Sequence, residues 1–158
     1  FARLPRPSLS ESDLNDLCKT VIAFMRFELE SKGVVVDVNL APSLTAFAFD
    51  HNQIRQSLLN LIRNAIEAME PTGGGAIVVT TTATAACARL SVADDGPGID
   101  AETLERIFDP FFSTKETGTG LGLALVQQIA QEHGGHVECE TAPDEGTTIT
   151  IVLPRDSL

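Results

Sequence analysis

The chain is short of positive charge: 11 lysines and arginines stand against 22 aspartates and glutamates, a formal net charge of -11. Nucleic acids and anionic membranes are bound through basic faces that release counterions. No nucleic-acid partner and no direct membrane contact are therefore expected. Any phosphate must be held by backbone N–H groups, a helix N-terminus or a metal ion. Cys18, Cys87 and Cys139 are odd in number, widely spaced and without a Cys-x-x-Cys pair. They read as reduced, mostly buried small apolar residues, which implies a cytosolic setting. There is no apolar run of membrane-span length, no signal peptide, no internal repeat and no low-complexity tract. A P-loop is excluded because no Gly-Lys-Ser/Thr occurs, and neither His-Arg-Asp nor Asp-Phe-Gly is present.

What remains is a chain of 158 residues, 43% hydrophobic, regularly punctuated by glycine and proline. One domain of this size buries roughly 70% of the surface its unfolded form exposes. The start at Phe1 rather than Met suggests a piece of a longer protein. Residues 1–7 carry two prolines one residue apart and read as the tail of a preceding element. Ser10 and Asp13 are spaced for a capping box, and Leu14, Leu17, Val21, Phe24, Met25 and Leu29 follow at helical spacing. One long amphipathic helix ended by Gly33 is predicted. Strands are predicted over 34–40 and 44–49. Asp50 is placed to cap a helix over 52–69, with Ile54, Leu58, Leu61, Ile62, Ala65 and Met69 on one face. Gln53, Asn60, Asn64 and Glu67 fall on the other.

Neighbouring strands follow over 76–83 and 87–93, then a short helix over 101–108 and a polar, glycine- and threonine-containing segment over 109–120 expected to be mobile. A helix over 122–133 stops at Gly134-Gly135, and strands over 136–140 and 147–153 close the chain. Paired strands alternating with single helices point to an α+β fold, a two-layer α/β sandwich with a mixed, mostly antiparallel sheet and helices on one face.

Three stretches carry chemistry. Asp94-Asp95-Gly96-Pro97-Gly98-Ile99 closes an apolar strand with a carboxylate that only accepts hydrogen bonds, beside glycines that admit a close approach. An adenine amino group requires that arrangement, although Asp-Gly between apolar runs is equally a hairpin signal. Asn60 and Asn64 are i,i+4 neighbours whose side-chain carbonyls suit Mg²⁺, which prefers oxygen ligands and keeps waters and phosphates in its shell. A solvated helix face gives the same pattern. Gly118-Thr119-Gly120-Leu121-Gly122-Leu123 opens a helix, so its free N–H groups point at an anion. A plain glycine hinge is the alternative.

Together, Asn60 to Met69, Asp94 to Ile99, Phe108 to Phe112, Gly118 to Leu123 and Gly146-Thr147-Thr148 resemble the N, G1, F, G2 and G3 boxes of the catalytic ATP-binding domain of bacterial sensor histidine kinases. All five stand in the family's order. That superfamily also includes gyrase B and a heat-shock chaperone, and its fold is the Bergerat ATP-binding sandwich. The opening Phe-Ala-Arg-Leu-Pro-Arg-Pro resembles the end of the second dimerisation helix in the nitrogen-regulation type. The resemblance implies a catalytic domain over 8–158, with a lid over about 100–119, preceded by that helix tail over 1–7.

It further implies that Asp94 accepts from the adenine N6 amino group, with Thr147 holding the same contact through a water. Gly96, Gly98 and Ile99 would border the adenine. Gly118, Thr119, Gly120, Leu121, Gly122 and Leu123 would wrap the phosphates. Asn64 would be the Mg²⁺ ligand, with Asn60 beside it; Phe108, Phe111 and Phe112 would anchor the lid, or be ordinary core phenylalanines. Lys115 would reach the γ-phosphate from the lid, or be solvated. ATP-hydrolysing relatives carry a glutamate where Asn60 stands, and asparagine cannot take up a proton. Phosphoryl transfer to a partner is therefore expected over hydrolysis, Glu67 being read as a solvated helix-face residue.

His51, His133 and His136 lack the family's flanking residues for a phosphate acceptor and are expected at the surface. The acceptor would then lie on a separate dimerisation and phosphotransfer domain, with a response regulator downstream and this chain monomeric and cytoplasmic. Two other functions fit the same letters: an adenine-nucleotide-responsive binding module without chemistry, and a serine-directed anti-sigma-type kinase.

Overall fold

The computed structural model describes residues 4–110, 112 and 122–155. Alternation along the last strand, Thr147–Pro154 (β7), turns Thr147, Ile149, Ile151 and Leu153 to one face, all buried. Beside it, Cys87–Asp94 (β5) turns Ala88, Leu90 and Val92 the same way. In a five-stranded sheet, β5 is the central strand and β7 lies next to it. Gly75–Ala83 (β4) pairs antiparallel with β5, and Val34–Asn39 (β2) pairs parallel with β4 at one edge. His136–Thr141 (β6) pairs antiparallel with β7 at the other.

Helices cover the inner face. His51–Met69 (α3) packs between Leu14–Phe24 (α1) and Gly122–Glu132 (α5). It buries Ile54, Leu58, Leu61, Ile62, Ala65 and Met69, the face that its periodicity predicts. Cys18 and Val21 of α1, with Val126 and Ile129 of α5, complete one continuous core. Each large apolar side chain removed from water there contributes about 1.5–3 kcal/mol. The two-layer α+β sandwich expected from the sequence is the observed architecture.

Asp50 caps α3: its carboxylate accepts from the N–H groups of Gln53 at 3.0 Å and Ser8 at 2.8 Å. Burial pushes this carboxyl up, but those two N–H groups, with that of Asn52, hold it below the usual aspartate value. Gln53 also ties down the N-terminal segment, donating from Nε2 to the Pro5 carbonyl at 3.0 Å.

Several local expectations are corrected. The predicted long first helix is interrupted at Met25 and resumes as Arg26–Ser31 (α2), although Met25 and Leu29 keep their i→i−4 bonds. Phe24, expected on the apolar face, is 62% exposed with the Arg55 guanidinium 5.1 Å from its ring centroid. Ser10–Ser12 is a strand (β1), not a helix start. It pairs with Phe47–Phe49 (β3), the shortened form of the strand predicted over 44–49, and Asp13 alone caps α1. Pairing with a distant segment overrides local capping preference here. The short helix predicted over 101–108 ends sooner, at Ala101–Leu104 (α4).

His133 is buried, against the surface position expected for it. Its Nε2 accepts from the Asp50 N–H at 3.0 Å, so Nδ1 carries the proton and donates to the Ile129 carbonyl at 2.8 Å. The ring thus joins the end of α5 to the start of α3. His51 and His136 are exposed, as expected.

Candidate nucleotide site

β5 and β7 end together, with Asp94 opposite Thr147 in register, and strand alternation turns both side chains toward the helices. Beyond Asp94 the chain leaves the sheet in the Asp95–Ile99 turn. The Gly96 N–H donates back to Asp94 Oδ1 at 2.9 Å. Burial is the largest influence on this carboxyl and raises its pKa; the negative charge of Asp95 adds to that, while the N–H groups of Gly96 and Thr147 oppose it. Asp95 turns the other way and accepts from the Ala76 N–H at 3.0 Å, fixing the turn to β4.

Two glycines are required by backbone geometry. Gly98 has φ +76°, and a Cβ there would run into the Ala142 carbonyl. Gly146 has φ +75°, and its Cβ would run into the Asp94 carbonyl oxygen. Both would be strained with any side chain. The turns are also held to each other: the Asp144 N–H donates to the Pro97 carbonyl at 2.6 Å.

Thr141, at the end of β6, is the residue the sequence motifs did not single out. Its hydroxyl accepts from the Ile99 N–H at 2.9 Å, donates to the Gly146 carbonyl at 3.0 Å and lies 2.9 Å from the Thr147 hydroxyl. The signal available in the sequence was its place opposite Thr147 across the closing hairpin. Met69, in the last turn of α3, is fully buried against this end of the sheet. A Cβ on Gly96 would come within 3.4 Å of its Cγ.

On α3, Asn60 and Asn64 are partly exposed on the side away from the core, as the helical spacing predicts. Neither carboxamide has a hydrogen-bond partner among the described residues. Gly122 opens α5, exposed, and a Cβ there would meet nothing within 4 Å, so packing against the described residues does not demand a glycine. Leu123 packs against the core. Phe108 and Phe112 are half-buried, and the Arg106 guanidinium lies 4.9 Å from the Phe112 ring centroid. Phe111, Lys115, Gly118, Thr119, Gly120 and Leu121 lie outside the described residues.

The described residues contain no group of three or more His, Cys, Asp or Glu side chains able to hold a metal ion. An all-protein cation cage is thus absent there. A partly exposed asparagine carbonyl fits Mg²⁺ that takes most of its oxygens from phosphates and water.

An acceptor-only carboxylate stands at the strand end beside two turns that are hydrogen-bonded to each other. The chain belongs to the histidine kinase-, DNA gyrase B- and HSP90-like ATPase family, whose pattern matches residues 49–157. It is 38% identical to the sensor histidine kinase ZraS of Klebsiella oxytoca over 90% of this chain and 30% of that protein. It is 34% identical to the nitrogen regulation protein NtrY of Azorhizobium caulinodans over 99% of this chain and 21% of that protein. Full-length ShkA, solved in complex with AMPPNP, superposes with a TM-score of 0.87 at 30% identity, covering 99% of this chain and 33% of that one. The chain spans about a third or less of each of these three proteins. No helix among the described residues is long and apolar enough to cross a membrane.

Proposed function

We propose that this chain is the ATP-binding catalytic domain of a sensor histidine kinase, transferring the γ-phosphoryl group of Mg-ATP to a histidine on a separate dimerisation domain. The observation that carries this is Asp94: an acceptor-only carboxylate, half-buried at the strand end and aimed into the space between sheet and helices. The adenine amino group is the donor it would take, with Thr147 beside it and Gly96, Gly98 and Ile99 bordering the base. Asn64 would hold Mg²⁺, which when bound neutralises charge on the transferring phosphates. Asn60, Lys115, Gly118, Thr119, Gly120, Leu121, Gly122 and Leu123 would position the phosphates.

Transfer to a partner is favoured over hydrolysis by Asn60, which offers no base to activate water. The acceptor belongs elsewhere because both ring nitrogens of His133 are engaged within the fold, and neither His51 nor His136 has the family's acceptor surroundings. Residues 8–158 would then be the catalytic domain with a lid over about 100–119, and 1–7 the end of a dimerisation helix. A cytoplasmic monomer, a histidine-bearing dimerisation domain and a downstream response regulator complete the proposal.

The test is calorimetric titration of Mg-ADP and a non-hydrolysable ATP analogue. Transfer from labelled ATP to the dimerisation domain supplied in trans follows. Saturable binding with acid-labile phosphohistidine is expected; absence of both would remove the catalytic role.

A further inference from the structure

The hydrogen-bond chain around Thr141 fixes more than the position of the two turns. A threonine hydroxyl has one proton to give and two lone pairs. The Thr141 proton goes to the Gly146 carbonyl, which can only accept, and one lone pair is taken by the Ile99 N–H. The contact to Thr147 is then satisfied in one way, with the Thr147 hydroxyl donating to Thr141. Thr147 is 6% exposed and has no other side-chain partner among the described residues, so little water competes for that proton. Its remaining lone pairs are left to accept. Beside it stands the Asp94 carboxylate, also an acceptor.

We infer that Thr141 is a specificity-determining positioning residue: by holding the Thr147 proton it makes the base pocket an acceptor-only surface that selects a 6-amino purine over a 6-oxo purine. A 6-amino group offers two N–H donors to this surface, directly or through a bridging water. A 6-oxo purine presents its oxygen to this surface and offers only its ring N1–H as a donor there, so one of the buried acceptors loses its partner. With Thr141 lacking its hydroxyl, the Thr147 O–H is free to rotate and donate into the pocket, and part of the discrimination is lost.

This rests on the adenine pocket proposed above, and the experiment separates the two. Affinities of Mg-ADP and Mg-IDP are measured by calorimetry for the wild-type chain, Thr141→Val, Thr141→Ser and Thr147→Val, with thermal unfolding of each as a check on folding. The wild type is expected to prefer ADP by about 100-fold or more. Thr141→Val should lower that ratio by about tenfold, roughly the worth of one hydrogen bond in a buried site. Thr141→Ser should restore it, and Thr147→Val should lower it as Thr141→Val does. Thr141→Ala serves the same purpose where the second valine methyl is not accommodated. A wild type that binds neither nucleotide overturns the pocket itself, and this role with it. A wild type that binds ADP while the hydroxyl-less variants keep its ADP:IDP ratio, or lose both affinities equally, overturns the role of Thr141 alone. Failure of serine to restore the ratio does the same.

Discussion

At the strand end of the site, Asp94, Gly96, Ile99, Thr141, Gly146 and Thr147 are bound to one another by hydrogen bonds between 2.9 and 3.0 Å. On the facing helices, Asn60 and Asn64 have no hydrogen-bond partner among the described residues, and Gly122 has open space where its Cβ would be. The first region is shaped before any ligand arrives, so it suits recognition of a rigid base. The second keeps its polar groups available, which suits phosphates and a hydrated cation. Under the proposed function, residues of the strand end would serve the fold and the ligand at once, while those of the helix side would serve the ligand almost alone.

Substitutions sharpen that contrast, and Asp94→Asn should show the largest effect. It turns half of an acceptor-only group into a donor facing the adenine amine, and nucleotide affinity should fall by about 100-fold or more in calorimetry. The fold should not suffer. The carboxyl is raised above its ordinary value of 3.8, chiefly by burial, so its ionised form costs stability at neutral pH. Thermal midpoints of the variant should equal or exceed those of the wild type at pH 7, with the gap closing as pH falls toward 3.8 and the native carboxyl takes up its proton.

Next is Asn64→Ala, expected to weaken Mg²⁺-dependent nucleotide affinity by about 10–100-fold with the unfolding midpoint unchanged. Equal affinity with and without Mg²⁺ in the parent chain would break this half of the comparison. Gly146→Ala should do the reverse of a helix-side change. Strain at φ +75° and collision with the Asp94 carbonyl should destabilise the fold by about 1–3 kcal/mol in denaturant titration.

The smaller effects follow. Asp50→Asn keeps one acceptor but turns an N–H donor toward the other of its two N–H partners, Ser8 and Gln53, and should cost about 1 kcal/mol at pH 7. Because backbone hydrogen bonds depress the native pKa below 3.8, that advantage is present above 3.8 and should disappear as pH falls below it. Gly122→Ala should leave stability equal or raise it by about 0.5–1 kcal/mol, while weakening nucleotide binding.

Periodicity carried most of the fold. The α3 face, the alternation of β5 and β7 and the cap at Asp50 follow from residue spacing and were legible without coordinates. Misjudged positions depended on remote partners: Ser10–Ser12 became a strand because Phe47–Phe49 offered an edge, and His133 was drawn inside by the start of α3. Phe24 turned outward against Arg55 although its spacing placed it with the core.

For the site, the sequence by itself determined which chemical groups are available: one acceptor-only carboxylate, two turn glycines, and asparagines in place of an acid on α3. These are properties of side-chain chemistry and local backbone preference, which short spacing displays. The tertiary structure alone decided how they are oriented. Gly98 and Gly146 are demanded by carbonyls from other turns, and Thr141 acquires its role because β6 ends opposite β7 and beside Ile99. The direction of a hydroxyl proton depends on which acceptors surround it in space, and residues 42 positions apart in the chain set it here.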